Sequence, residues 1–222
     1  DVVMSKKHVY RGILVVLSSP SGAGKTSLAN QIVAQNSNIF FSVSVTTRLP
    51  RGDETEGREY FFTDRKTFSD MVSRDEFIEY AEVFGNLYGT PKSKTEELIQ
   101  SGKDVIFDVD WQGGTQIRNS HLADSVVSIF ILPPSIESLE TRLLSRAQDD
   151  KKTVDFRMLE ARSEISHWGE YDYVLINDNF ERVKKSIEKI IEVEKMRRQR
   201  QPDLAQFIAS LNAEFDVIKD NS

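Results

Sequence analysis

The sequence predicts an α/β protein built on a mostly parallel β-sheet with helices on its faces. Three features indicate this fold: four near-continuous apolar runs, helical patterns after three of them, and a glycine-rich turn directly after the first run. Near-continuous apolar runs are typical of strands that are covered on both faces, and alternating strands and helices favour parallel pairing.

The elements follow from these patterns in order along the chain. The main strands are predicted at residues 9–17, 105–110, 126–132 and 173–177. The helices are predicted at residues 28–33, 135–144 and 181–200. The tail after Pro202 carries apolar residues at helical spacing, which predicts an amphipathic helix. We expect this helix to pack on the protein's own core, and a partner surface is the alternative.

Residues 40–98 interrupt the alternation of strands and helices. They hold an alternating run at 41–47, a Pro-Arg-Gly turn, a short apolar run at 60–63 and a short helix near 67–74. The segment around Glu79 favours a helix. Together these signals predict a small α+β lobe inserted between the first helix and the second main strand.

The chain is therefore predicted to form a single domain over residues 1–222. Its predicted parts are a core at residues 8–39 and 99–200, the lobe at 40–98, a lid at 146–160 and a helical tail at 201–222. The polar stretch at 148–152 predicts a mobile flap within the lid.

Composition and charge exclude several classes of function. In the 222 residues, 29 Lys and Arg against 35 Asp and Glu leave a net charge of −6, which disfavours a general binder of nucleic acid or of anionic membranes. The lack of cysteine excludes disulfides, thiolate zinc sites and a cysteine nucleophile. The apolar run at residues 13–17 is too short for a signal peptide or a membrane span, so we expect a cytoplasmic protein.

Residues 19–26, which read S-P-S-G-A-G-K-T, have the spacing of a Walker A phosphate-binding loop with a serine in place of the first glycine. In such a loop, glycines let the backbone N–H groups surround a polyphosphate. Lys25 is predicted to bridge the β- and γ-phosphates, and Thr26 to hold Mg²⁺ at the start of the helix. A turn that only caps a helix is the alternative, but it does not explain the run Gly-x-Gly-Lys-Thr. The ATP-binding residues predicted here are Ser19, Pro20, Ser21, Gly22, Ala23, Gly24, Lys25, Thr26 and Ser27.

Further motifs, in their order along the chain, resemble those of the guanylate kinase family. They lie at residues 42–51, 57–62, 77–79, 85–90, 106–113, 142–157 and 176–178. The resemblance covers about residues 9–195. It implies a P-loop NTPase-type fold with an inserted lobe that binds a nucleoside monophosphate, and a short lid. It also implies transfer of the γ-phosphate of ATP to GMP, with Mg²⁺ as the cofactor.

The lobe contains the groups that GMP binding requires. Arg48 and Arg51 flank a proline turn and can clamp a phosphate that carries nearly two negative charges. Glu79 can accept both the N1–H and the 2-amino group of guanine, whereas adenine would present a lone pair to it. The GMP-binding residues predicted are Ser44, Arg48, Arg51, Tyr60, Glu79, Tyr88, Gly89, Thr90, Asp108 and Asp110. Position 90 is usually serine in the family, and threonine keeps the hydroxyl.

Asp108 and Asp110 lie two residues apart at the end of a predicted strand, so both are expected to point to the same side. One is expected near Mg²⁺ and the other near the guanosine, and the sequence does not divide these roles. Capping of the next helix is the alternative. The predicted metal ligands are Thr26 and Asp108.

The resemblance also implies catalysis by charge neutralisation without a general base, because the GMP phosphate is already anionic. The predicted catalytic residues are Lys25, Arg51, Arg146 and Arg157. The residues expected beside adenine are Arg142, Asn177 and Asp178. A salt-bridged exposed helix face is the alternative for Arg142 and Arg146. Residues 147–152 depart from the family pattern, which leaves the reach of the lid arginines open.

Two other functions stay open at this point. A catalytically inactive, guanylate-kinase-like module would bind phosphorylated peptides, but such modules typically lack the loop lysine and lid arginines that this chain keeps. A P-loop kinase for AMP or a pyrimidine monophosphate is the second, and Glu79 discriminates against it. The expected partners are ATP and GMP, with neither nucleic acid nor membrane, in a monomer or homodimer.

Overall fold

Two β-sheets and eight α-helices make up the protein over residues 10–83, 85–145 and 151–220, which the computed structural model describes. The strands are β1 (Leu14–Ser18), β2 (Ile39–Phe41), β3 (Ser44–Thr46), β4 (Tyr60–Phe62), β5 (Phe77–Val83), β6 (Asn86–Pro91), β7 (Asp104–Asp108), β8 (Val126–Leu132) and β9 (Tyr173–Ile176). The helices are α1 (Lys25–Gln35), α2 (Arg65–Ser73), α3 (Lys92–Gln100), α4 (Trp111–Arg118), α5 (Ile136–Ser145), α6 (Lys151–Ser166), α7 (Phe180–Lys195) and α8 (Leu204–Asp220).

The first sheet has the strand order β2-β7-β1-β8-β9, and all of its pairs are parallel. β1 lies in the middle, with all five of its residues buried. Its first residue, Leu14, pairs with Val105 on one side and Val126 on the other. The predicted α/β fold with a parallel sheet is therefore confirmed.

Helices cover both faces of this sheet because successive side chains of a strand point to opposite sides. Val15 and Leu17 belong to the apolar cluster that includes buried side chains of α1 and α7. Leu14 and Val16 belong to the cluster on the other side, with side chains of α3 and α4. Burial on both faces explains why these strands are nearly continuous apolar runs in the sequence.

The second sheet has the order β4-β3-β6-β5 and is mixed, with β3 and β4 parallel and the other pairs antiparallel. Helix α2 begins after Asp64, whose carboxylate accepts the backbone N–H of Thr67 at 2.8 Å. Phe68 of α2 stacks on Phe77 of β5, with 4.6 Å between the ring centres. These elements form the small α+β region expected between the first helix and the second main strand, and β5 is one of its edges.

One predicted element type is wrong. The segment around Glu79, which favours a helix by local pattern, is strand β5, because it pairs with β6 in an antiparallel hairpin. Pairing of this kind overrides local preference when it buries one face of a strand. Elements β5, β6, α3, α4 and α6 have no counterpart among the predicted elements.

Several predicted boundaries also shift. The first strand begins only at Leu14, and the strand predicted to reach residue 110 ends at Asp108. The alternating run at 41–47 is divided, since β2 pairs with β7 in the first sheet and β3 pairs with β4 and β6 in the second. The last core helix ends at Lys195, and residues Arg198–Arg200 form a separate 3-10 turn.

The predicted helical tail corresponds to α8. Its side chains Ile208 and Phe215 are 48% and 64% exposed, so the packing on the core that we expected is not seen for them. Of the helices in the described ranges, none is long and apolar enough to cross a membrane. The division of the chain into core, lobe, lid and tail stays a prediction.

Candidate active site

The phosphate-binding loop connects the buried end of β1 to the start of α1. Its backbone takes up positive φ angles at Gly22 (88°) and Gly24 (94°), a region that favours glycine. A Cβ on Gly24 would also lie only 2.7 Å from the side-chain nitrogen of Asn177. The two predicted loop glycines are therefore required by both backbone conformation and close packing.

Two side chains donate hydrogen bonds to the backbone of the loop. The buried Asn177 donates its amide N–H to the carbonyl oxygen of Ala23 at 2.8 Å, and the Arg142 guanidinium donates to the same oxygen at 3.3 Å. The sequence analysis predicts both residues beside adenine. In the structure, both contact the backbone of the phosphate-binding loop. Asp178 is exposed and hydrogen-bonds to Arg182, which lowers the pKa of its carboxyl group.

Asp108 connects the first residues of α1 to the end of β7. Its carboxylate oxygens lie 2.6 Å from the Lys25 ammonium and 2.6 Å from the Thr26 hydroxyl. Lys25 also donates to the carbonyl oxygen of Val109 at 3.1 Å. The structure thus brings together the predicted phosphate-binding lysine and both predicted metal ligands.

This pair of oxygen donors fits a magnesium ion. Mg²⁺ prefers hard oxygen ligands and is usually held by one or two protein groups together with substrate phosphates and water. Thr26 supplies a hydroxyl and Asp108 a carboxylate within hydrogen-bond distance of each other. The described residues contain no cluster of three or more His, Cys, Asp or Glu arranged for a metal.

Glu164 of α6 also reaches the loop, although the sequence analysis did not single it out. Its carboxylate accepts the backbone N–H of Ser21 at 3.1 Å across 143 residues of chain. Burial raises the pKa of its carboxyl group, and the charges of Glu160 and Asp110 add to this, while the Ser21 N–H and Lys25 act in the opposite direction. No local motif marks this residue, because its contact depends on how α6 packs.

The loop, Asp108 and Glu164 line one cleft of about 240 Å³. The lining residues are Ser19, Pro20, Ser21, Gly22, Gly24, Lys25, Thr26, Ser27, Asp108 and Glu164. Backbone N–H groups, a lysine and a helix start converge on this cleft, a combination that binds polyphosphate anions.

A second group of polar side chains lies on the other sheet, around Glu79 of β5. This carboxylate is only 6% exposed and accepts the hydroxyl of Thr90 at 2.7 Å. The Thr90 oxygen in turn lies 3.4 Å from the Ser44 oxygen. Burial raises the pKa of Glu79 to about 7, with a further rise from the Asp110 charge and an opposing effect of the Thr90 hydrogen bonds. Three predicted base-contacting residues therefore form one buried polar cluster.

The arginines of the lobe are organised by Glu54, which the sequence analysis did not single out. Glu54 accepts the Arg48 guanidinium at 2.8 Å and the backbone N–H of Arg51 at 2.8 Å. The first contact raises the pKa of Arg48 and lowers the pKa of Glu54. The Arg48 guanidinium also lies over the Tyr60 ring at 5.2 Å from its centre, and Tyr60 meets Tyr88 edge-on. The four predicted phosphate-binding residues thus lie in the loop after β3 and on β4 and β6, the two strands that pair with β3.

The two aspartates have different surroundings. Asp108 faces Lys25 and Thr26, whereas Asp110 accepts the N–H of Gly113 at 2.8 Å and caps α4. The expectation that both belong to one strand is wrong, because Asp110 begins the next helix, as the capping alternative proposed. Burial is the main cause of the raised pKa of Glu79 and of Glu164, and the charge of Asp110 adds to both.

Arg157 lies half-buried on α6, seven residues before Glu164 and therefore on a similar face of that helix. Arg146 falls outside the described residues, as does most of the polar stretch predicted to form the flap. Of the predicted catalytic residues, the structure accordingly describes Lys25, Arg51 and Arg157.

Fold and site together define a class of protein. The central strand of the parallel sheet leads through a glycine-rich loop into a helix that starts with Lys25 and Thr26. Both side chains contact Asp108 at the end of a neighbouring strand. This arrangement is the structure of a P-loop nucleotide-binding protein. The buried carboxylate and the arginines of the second sheet add a separate polar site of the kind that an acceptor nucleotide needs.

Comparison with known proteins identifies the family. The guanylate kinase family model matches residues 11–194. A guanylate kinase of Cereibacter sphaeroides is 52% identical over 207 residues, covering 93% of this chain and 98% of that protein. One from Ruegeria pomeroyi is 50% identical, covering 93% of this chain and 97% of that protein. The crystal structure of guanylate kinase from Anaplasma phagocytophilum is 39% identical, covers 90% of this chain and 95% of that one, and superposes with a TM-score of 0.73.

The chain belongs to the guanylate kinase family. The resemblance seen in its motifs is confirmed, and the protein is an enzyme that phosphorylates GMP at the expense of ATP. The alternatives of an inactive peptide-binding module and of a kinase for another monophosphate are set aside by this result.

Proposed function

We propose that this enzyme transfers the γ-phosphate of ATP to GMP by an in-line, Mg²⁺-dependent displacement that releases ADP and GDP. The observation that supports it best is the polar cluster of Glu79, Thr90 and Ser44 on the second sheet, which is separate from the sheet that carries the phosphate-binding loop. Helix α4 connects the two sites, because its N-cap Asp110 follows two residues after Asp108, and an added Cβ on its Gly113 would lie 3.4 Å from the Glu79 carboxylate.

The guanine base binds at Glu79 in this proposal. An ionised carboxylate has lone pairs for both the N1–H and the 2-amino group, and Ser44 and Thr90 supply hydroxyls for the remaining edge of the base. Adenine offers no donor at N1, so its binding would leave the buried carboxylate unpaired, which costs more than a good hydrogen bond gains. Gly89 lies between Tyr88 and Thr90 on β6, and a Cβ there would lie 2.8 Å from the Phe77 ring, so this strand must come close to its neighbour.

The GMP phosphate binds to Arg48 and Arg51, with the Tyr60 and Tyr88 hydroxyls as further donors. Glu54 orients Arg48 through its side chain and Arg51 through its backbone. A guanidinium fork aligned in this way can form two hydrogen bonds to a phosphate at little cost in side-chain entropy. Arg51 therefore also has a catalytic role, because it neutralises the acceptor phosphate as the bond forms.

On the donor side, the loop N–H groups and Lys25 bind the ATP phosphates, while Asn177, Arg142 and Asp178 line the route to the adenine. Thr26 and Asp108 would hold Mg²⁺, which when bound neutralises charge on the phosphates and aligns them for transfer. Because the acceptor is already an anion, Lys25, Arg51 and Arg157 act by positioning and charge neutralisation and no general base is needed. We include Arg146 in this set on the resemblance alone.

The wider context of the reaction is also part of the proposal. GDP formation serves guanine nucleotide metabolism and the recycling of GMP, in the cytoplasm, by a monomer or homodimer. A net charge of −6 supports substrates bound at one local cationic site in preference to a nucleic-acid or membrane partner. The proposed parts are a core at 8–39 and 99–200 with the ATP site, a GMP-binding lobe at 40–98, a lid at 146–160 and a tail at 201–222.

A coupled assay of ADP release tests the proposal. ATP and MgCl₂ are offered with GMP, AMP, CMP or UMP in parallel, and the GMP reaction is repeated with the metal chelated. We expect ADP only with GMP and only with Mg²⁺. Equal turnover with AMP would contradict the role of Glu79, and undiminished turnover in excess chelator would contradict the role of the metal.

A further inference from the structure

Helix α4 and the edge strand β5 are joined by an unusual two-point contact. The Gln116 side chain accepts the backbone N–H of Tyr80 through its amide oxygen at 3.0 Å, and donates its amide N–H to the Tyr80 carbonyl oxygen at 3.0 Å. These are the two bonds that a neighbouring strand would make with Tyr80 in an antiparallel pair. The Gln116 side chain, on a helix that packs against the first sheet, thus satisfies the edge strand of the second sheet as a further strand would.

The contact lies next to the base-binding carboxylate. Tyr80 follows Glu79 directly, so the backbone that Gln116 fixes is the backbone from which the Glu79 side chain projects. The same helix approaches Glu79 at Gly113, where an added Cβ would lie 3.4 Å from the carboxylate oxygen. Gly113 and Gln116 are three residues apart on α4, so the close approach to Glu79 and the contact with Tyr80 lie on the same side of the helix, toward β5.

We propose that Gln116 is a positioning residue for guanine recognition, which acts by fixing the backbone of Tyr80 so that both oxygens of Glu79 meet the base. This inference rests on the proposed base-binding role of Glu79. It assigns to α4 a function in substrate selection that neither the phosphate-binding loop nor the base-contacting residues supply by themselves.

The physical reason lies in the demands of a two-pronged contact. A carboxylate that accepts two parallel N–H groups must hold its plane in line with the base, whereas a single hydrogen bond tolerates rotation. Thr90 fixes one carboxylate oxygen only. The second constraint comes from the main chain, and Gln116 provides it from a helix that is packed against the central sheet through Ile117, which is fully buried.

The 2-amino group of guanine gives a readout that a general structural role would not change. Inosine monophosphate keeps the N1–H and lacks the 2-amino group. The ratio of kcat/KM for GMP over that for inosine monophosphate therefore measures the hydrogen bond from the 2-amino group to Glu79. Both values are obtained on one preparation, so any loss of folded enzyme cancels from the ratio.

The variant Gln116→Leu removes both hydrogen bonds at nearly constant volume, and Gln116→Asn keeps the amide on a shorter side chain. We expect Gln116→Leu to lower the GMP preference about tenfold, mainly through a higher KM for GMP, with the KM for ATP unchanged. Gln116→Asn is expected to lower it less. Gln112→Leu is the matched control, because Gln112 is an exposed glutamine on the same helix.

Glu79→Gln is measured beside these variants to separate the two proposals. A large decrease in the ratio of kcat/KM for GMP over inosine monophosphate in both Glu79→Gln and Gln116→Leu, with the ratio of Gln112→Leu unchanged, supports the positioning role of Gln116. If Glu79→Gln lowers this ratio while Gln116→Leu and Gln116→Asn leave it unchanged, the base-binding role of Glu79 is supported and the positioning role of Gln116 is refuted. An unchanged ratio in Glu79→Gln as well would refute both.

Discussion

Glu79 illustrates how burial sets the chemistry of a single side chain. In the role that we propose, the carboxylate has to be ionised to accept two hydrogen bonds from guanine, yet its surroundings favour the neutral acid and raise its pKa to about 7. Desolvation is the main cause, since the residue is almost fully buried and Thr90 offsets only part of the cost. The base pocket is therefore titratable near neutral pH.

The first prediction concerns the pH dependence of GMP binding. As pH falls from 8 to 6, Glu79 becomes protonated in the free enzyme, so the KM for GMP should rise about tenfold while the KM for ATP changes little. Initial rates over this range provide the measurement. The GMP phosphate also titrates near pH 6, so Glu79→Gln serves as the control. Parallel profiles for the two proteins would show that the pH effect does not come from Glu79.

The second prediction concerns stability. The folded-state pKa of about 7 lies above the ordinary value of 4.5, so the unfolded state releases the proton more readily. The destabilisation therefore grows as pH rises from about 4.5 and is complete above pH 7. Glu79→Gln should raise the free energy of unfolding by up to roughly 3 kcal/mol at pH 8 and by little near pH 4.5. Urea titrations without nucleotide at both pH values measure this, and an equal gain at both would contradict the mechanism.

At the scale of elements, α6 connects the predicted lid to the phosphate-binding loop. Its N-terminal part carries Arg157, and its C-terminal part places Glu164 on the Ser21 N–H. A carboxylate on this N–H competes with a phosphate oxygen for the same donor, and two such anions repel each other. Phosphate binding at this N–H is therefore expected to displace the Glu164 carboxylate from the loop.

The third prediction follows from this competition. Glu164→Gln removes the negative charge and keeps an acceptor, so the Kd for ATP should fall about threefold at low ionic strength, and less in high salt. Calorimetric titration at two salt concentrations measures the effect. Glu160→Gln, an exposed glutamate one turn earlier on the same helix, is the matched control. Weaker ATP binding by Glu164→Gln would show that the carboxylate supports the loop and does not compete with phosphate.

Element scale also explains what the sequence could and could not predict. The main strands and the loop were predictable because their signals are local: apolar runs, and glycines beside Lys25. Strand β5 was mistaken for a helix because its conformation depends on pairing with β6, which no local pattern reports.

The contacts of the site show the same limit. Glu164 on Ser21 and Gln116 on Tyr80 join residues 143 and 36 positions apart, so they become visible only in the folded chain. Asp108 and Asp110 could be named from the sequence, but their roles were separated only by the end of β7 and the start of α4. The family resemblance thus names the site residues as a set, and their roles toward the substrates stay predictions.

On the scale of the whole molecule, the two proposed substrate sites lie on different sheets. The parallel sheet bears the phosphate-binding loop, and the mixed sheet bears the Glu79 cluster together with Arg48. Transfer requires the phosphates to meet while water is kept out, because an accessible γ-phosphate would be hydrolysed. Binding of both substrates should therefore draw the two sheets together.

The fourth prediction is a compaction that requires both ligands. Small-angle scattering with GMP and a non-hydrolysable ATP analogue should give a smaller radius of gyration than the free enzyme, and GMP alone a smaller change. The catalytically impaired variant Glu79→Gln, at the same ligand concentrations, is expected to compact less because GMP occupies its pocket poorly. Equal dimensions with and without both ligands would refute closure.

The position of β1 has a consequence for how the enzyme comes into being on the ribosome. This strand and its loop are synthesised before the residues that contact them, since Leu14 pairs with Val105 and Val126, and Ala23 accepts a hydrogen bond from Asn177. A nascent chain that stops before β7 carries the loop sequence without either strand that pairs with β1, and one that stops before β9 still lacks Asn177. ATP is therefore expected to stabilise the complete loop as a ligand only after Asn177 has emerged, so the folding steps before that point proceed without this help.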